Sequence, residues 1–171
     1  MASFTHRVEK LSQIAKSQPQ AAYAAFTKGL IGEWTFLSRT TNNTSQLFGP
    51  VEEMIRTQFL PAITGRSPPR EAERDLLGLP ARHGGLGLSN PTLLASEAYE
   101  GSRRATEPLS MLIEAQCADL GDTCKEVIKR RTEERTRHRK QLAEMAQAVL
   151  PRLSADVRHA AEHASEKGAS N

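Results

Sequence analysis

The sequence predicts an all-α protein, a small helical bundle with a glycine-rich turn segment and a long polar helical extension toward its C-terminal end. Three observations predict it. Apolar residues recur at steps of three and four through residues 4–16, 19–38 and 49–64, the spacing that lines one face of a helix. Proline and glycine stand where helices start and stop, as at Pro19, Gly65 and Pro91. Residues 129–141 hold no apolar side chain, yet their helix propensity is high throughout.

The first helix is expected over residues 4–16, where Phe4, Val8, Leu11 and Ala15 share a face. Pro19 opens the second, which runs to Ser38 on a stripe of Tyr23, Phe26, Leu30, Trp34 and Leu37. Gly29 and Gly32 each lower its helicity by about 1 kcal/mol relative to alanine, so packing must hold it, and it is read as the centre of the core. A cap-rich connector over residues 40–45 leads to a third helix, 49–64, with Val51, Ile55, Phe59 and Ile63 four apart. Pro61 is expected to bend or end it, and Gly65 supplies a left-handed cap. A rigid Ser67-Pro68-Pro69 turn precedes a short helix over 70–78.

The segment Leu79-Pro80-Ala81-Arg82-His83-Gly84-Gly85-Leu86-Gly87-Leu88 departs furthest from helical composition. It lacks the Lys-Ser/Thr of a phosphate loop and the preceding strand of a dinucleotide fingerprint. Its reading is a tight turn that delivers Leu86 and Leu88 to the core. Asn90 then caps a fifth helix with Pro91 at its first position. That helix is expected to reach about Arg104, and Pro108 to start another through Leu109, Leu112, Ile113 and Gln116.

Charged residues make up 25% of the 171-residue chain and aromatics only 5%, so a modest aliphatic core is expected, with part of the chain outside it. The net charge is only +3, but residues 121–140 carry a local excess of positive charge. Glu126–Arg130, Arg130–Glu134 and Glu133–Arg137 can pair across one turn. A helix polar over this length is expected to project into solvent or to meet another macromolecule. Residues 1–120 are therefore read as the helical domain and 121–171 as a charged, partly disordered extension. Arg131, Arg135 and Arg139 form a stripe by fours, either a solvated face or a contact to a phosphate backbone. No aromatics interleave it, so stacking on single-stranded bases is not indicated.

Cys117 and Cys124 would lie roughly 10 Å apart on a continuous helix, too far for a disulfide, and are read as reduced, buried thiols. His159 and His163 could share a face but lack a third ligand. No nucleophile–base pair is apparent, and no catalytic residue, metal or cofactor is expected. No stretch has the length of a membrane span and residues 1–7 lack a signal-peptide core, so the expected location is cytoplasmic or nuclear.

The run Gln18-Pro19-Gln20-Ala21-Ala22-Tyr23-Ala24-Ala25-Phe26-Thr27-Lys28-Gly29-Leu30, followed by Trp34-Thr35-Phe36-Leu37-Ser38-Arg39-Thr40, resembles the region just after the palm in reverse transcriptases of non-LTR retrotransposons. The likeness continues through Phe59-Leu60-Pro61-Ala62-Ile63-Thr64-Gly65-Arg66 and Glu73-Arg74-Asp75-Leu76-Leu77, and is strongest at the glycine segment. It implies a thumb-like domain over 1–120. Polymerases of that family hold two metal ions on adjacent palm aspartates, and this chain contains no Asp-Asp pair. The palm is expected upstream of Met1, and residues 166–171 resemble an internal stretch of such proteins. The resemblance implies a non-catalytic fragment whose helices contact the backbone of an RNA–DNA or other nucleic-acid duplex. Lys28, Arg39 and Arg82 are candidates for that contact, with Arg131, Arg135 and Arg139 from the polar helix. The alternatives are a helical protein–protein interaction module without nucleic acid, and a degenerate reading frame with no selected function.

Overall fold

A computed structural model describes residues 2–116 and 121–169. Among the described residues there is no strand. Seven helices follow one another: α1 (Ala2–Ala15), α2 (residues 19–40), α3 (residues 49–64), α4 (Glu71–Gly78), α5 (Pro91–Glu114), α6 (Thr123–Val149) and α7 (Ala155–Ala169). Short 3₁₀ turns at Ser45–Phe48, Ala81–His83 and Leu150–Arg152 join them.

Both α2 and α3 contain one widened π turn. In α2 it spans Phe26–Leu30, and the Ile31 N–H reaches back five residues to the Phe26 carbonyl. In α3 it spans Ile55–Phe59, where the Leu60 N–H bonds the Ile55 carbonyl. The second lies directly before Pro61, whose ring needs room in the preceding turn and whose nitrogen has no hydrogen to give. Pro61 therefore does not end the helix. It continues to Thr64 and closes on Gly65, at φ 66°.

Two apolar clusters hold the helices together. The first joins α1, α2, α3, Leu88 and Ala95 of α5. Phe26 stacks on Phe59 at 4.3 Å between ring centroids and meets Trp34 edge-on at 5.3 Å. Phe26, Phe48 and Phe59 are its largest fully buried side chains. The buried residues are mostly aliphatic, as expected from composition, with Phe26, Trp34, Phe48 and Phe59 as the aromatic members of this first cluster. Each of these four buries a large area. The stripe on α2 is covered, while Phe36, which lies off it, is 69% exposed.

The second cluster joins Leu76 and Leu79 to Ala146, Val149, Leu153 and Ala161, residues from both sides of the 120/121 boundary. Between the clusters runs the glycine segment. Its backbone returns to α4 through Leu86 N–H and Leu88 N–H, both on the Leu77 carbonyl at 3.2 and 3.1 Å. Tyr23 donates its hydroxyl to the Leu86 carbonyl at 2.6 Å, and buried Arg74 donates to the Leu88 carbonyl while forking onto Glu52. Gly85 admits no side chain, since a Cβ there would stand 2.0 Å from the Leu79 carbonyl oxygen. The segment is a structural turn, and it delivers Leu88 to full burial.

Helix α5 corrects the expectation of a break near Arg104. It runs unbroken from its Asn90 cap to Glu114 with Pro108 inside it. Proline leaves the carbonyl four residues back without its helical donor. That carbonyl belongs to Arg104, and Arg130 of α6 donates to it at 3.3 Å. Helix α6 is likewise corrected, because it does not stand clear in solvent. It lies antiparallel along α5 through side-chain ion pairs, and its Leu142, Ala146 and Val149 enter the second cluster. Cys124, in its first turn, is exposed and not buried, and Cys117 lies outside the described residues.

Candidate nucleic-acid interface

The seam between α5 and α6 is built from charge. Arg104 forks onto Glu134 at 2.9 and 3.0 Å and reaches Glu97 at 3.0 Å. These bonds hold the Arg104 guanidinium more basic than usual, with Glu134 the main cause. In return Arg104 holds the Glu134 carboxyl below the ordinary carboxylate range. Arg130 pairs with Glu107 across the seam and with Glu126 along its own helix, the latter at 3.0 Å. Of the three expected intrahelical pairs only Glu126–Arg130 forms among the described residues. Arg130 turns to Glu107, and Arg137 takes Glu134 at 2.6 Å. The reason is geometric: Glu134 points at α5, and the cations around it follow.

Beside this seam the end of α2, the middle of α5 and the middle of α6 enclose a groove of about 780 Å³. Trp34, Ser38, Pro91 and Ala105 are buried at its base, with Leu94, Ala98, Leu109 and Val127 half-buried above them. The rim carries Arg39 from the last turn of α2 and Arg131, Arg135 and His138 from α6, all exposed. Among the described residues none of these three arginines makes an ion pair, although Glu97 and Glu134 lie in the same wall. The two acids are engaged with Arg104, so the rim keeps its positive charge.

Three of the six sequence candidates thus come together: Arg39, Arg131 and Arg135. Arg139 does not join them and is exposed elsewhere on α6. At about 100° per residue, Arg139 stands roughly 80° around the helix from Arg131, whereas His138 stands only about 20° away. The stripe by fours drifts off the face, and the one by four and three stays on it. His138 was therefore legible in the spacing but missed. Lys28 is exposed on the π turn of α2, away from the groove. Arg82 sits on the 3₁₀ turn after α4, where its carbonyl accepts from Ser165 of α7 at 2.8 Å. Its neighbour His83 has its basicity lowered, first by burial and then by the Arg82 charge.

Among the described residues no group of three His, Cys, Asp or Glu side chains is placed to hold a metal ion, and His159 and His163 are exposed on α7. No helix among them is long and apolar enough to cross a membrane. No protein-family model, curated protein or solved structure matches the chain.

Proposed function

We propose that this chain is a non-catalytic, nucleic-acid-gripping helical module, the thumb and following region of a reverse-transcriptase-like protein. One observation carries the binding half of that reading: Arg39, Arg131 and Arg135, from two separate helices, meet on one groove rim without acidic partners. Arginine's planar fork suits phosphate, and three such contacts on a strand supply affinity without reading sequence. The origin half rests on the resemblance of residues 18–40 and 79–88.

The test is fluorescence anisotropy with an RNA–DNA duplex. Three neutralised phosphates predict that affinity falls roughly 40-fold between 50 and 200 mM salt. Arg131→Ala with Arg135→Ala should lower the salt slope by about two, and Arg139→Ala should leave it unchanged. Binding indifferent to salt, or none at 50 mM, overturns the proposal.

The second reading, a docking module for another helical protein, has its own support. Phe36 is 69% exposed and borders a shallow apolar hollow with Gly29, Gly32 and Leu37. Light scattering of the wild type and of Phe36→Ser decides it: a concentration-dependent oligomer abolished by the substitution favours it, and a strict monomer removes it.

A further inference from the structure

We infer that the floor of the groove receives an unpaired nucleotide of the strand whose phosphates the rim arginines hold. The module then prefers a duplex bearing a single-stranded overhang to a blunt one. This rests on the nucleic-acid reading above and deepens it.

A surface that only grips a backbone needs cations and no cavity. Here the cations stand around a groove of about 780 Å³ whose walls include Leu94, Ala98, Leu109 and Val127 beside the engaged Glu97 and Glu134. That volume is within the usual range of small-ligand sites. A phosphate has no reason to enter such a floor, because leaving water without hydrogen-bond partners is unfavourable. A nucleobase does, since its two faces are flat and weakly hydrated and its edges are polar. The hydroxyls of Ser38 and Ser102 also line the groove and can meet those edges. Bases inside a duplex are stacked and paired and cannot reach the floor, whereas an overhanging base can. No aromatic side chain is needed for stacking, because guanidinium planes serve that purpose, and Arg131 and Arg135 stand one helical turn apart above the apolar wall. Charge complementarity also favours a strand over a neutral peptide, since the rim is cationic and its two acids are engaged.

The experiment uses the full chain and two labelled RNA–DNA duplexes of identical paired sequence, one blunt and one with a short 3′ overhang, at low salt. The overhang should bind roughly tenfold more tightly, the gain expected from one well-seated base. Ala98→Leu and, independently, Ser102→Leu narrow the groove from its α5 wall and block access to the floor. Each should bring the ratio to one while blunt-duplex affinity stays within about twofold, with helicity checked by circular dichroism. Equal wild-type affinity for the two duplexes overturns this inference alone. Loss of salt-dependent binding to both duplexes overturns the proposed function with it.

Discussion

The seam among α1, α2 and α3 and the seam between α5 and α6 are opposite solutions to the same problem. The first excludes water with Phe26, Trp34, Phe48 and Phe59, and its three phenylalanines are fully buried. The second aligns two helices with Arg104, Glu97, Glu134, Arg130 and Glu107, most of them partly solvated. Burial of aromatic area is strong and insensitive to salt, whereas partly solvated ion pairs contribute little each and are screened. A charged seam has another property, however. It absorbs the acids that would otherwise neutralise Arg39, Arg131 and Arg135, and so leaves a cationic groove beside it.

Three measurements sharpen the contrast. Phe59→Ala should destabilise the whole chain by about 3–5 kcal/mol, read as a lower urea midpoint, because it removes the stacking partner of Phe26 and leaves a cavity. An unchanged midpoint would deny the aromatic seam its leading role. Glu134→Gln should lower stability by only about 1 kcal/mol. Its effect should appear as faster amide exchange in α5 and α6, with α1–α3 still protected, and should shrink in high salt. The same pair sets an acid limit. With its carboxyl held below the unfolded value of 4.5, Glu134 stabilises fully above that value and loses its contribution as pH falls through the lowered folded one.

The smallest effect is expected at His83. Its folded pKa lies below the ordinary 6.5, so the unfolded chain binds more protons between the two values. Acidification from pH 6.5 downward should therefore erode stability slightly, and His83→Gln should flatten that slope in thermal melts. A slope that persists in the variant assigns it to other groups.

Much of the first seam was legible in the sequence. Steps of four at Phe26, Leu30 and Trp34, and again at Val51, Ile55 and Phe59, name its buried faces directly. The two prolines are accommodated by different means: at Pro61, where the helix ends at Thr64 as expected, by a widened local turn, and at Pro108, where a break was expected and none occurs, by a guanidinium twenty-six residues beyond the carbonyl it reaches. Only the first repair is local enough to be guessed. The groove was half legible. Arg131 and Arg135 stand out on one helix, but that Arg39 joins them depends on how α2, α5 and α6 pack, which no spacing encodes. Lys28 and Arg82 carry the same charge as Arg39, and nothing in the residues themselves separates the three.

A hairpin of two helices joined by arginines and glutamates has many alignments of nearly equal energy, since both residue types recur along α5 and α6. The anchorage of Leu142, Ala146 and Val149 in the second cluster limits that freedom, and the carbonyl that Pro108 frees at Arg104 for Arg130 narrows it further. Sliding α6 by a turn would strand a polar atom, so one absent hydrogen acts as an index mark and tells the neighbouring helix where to stop.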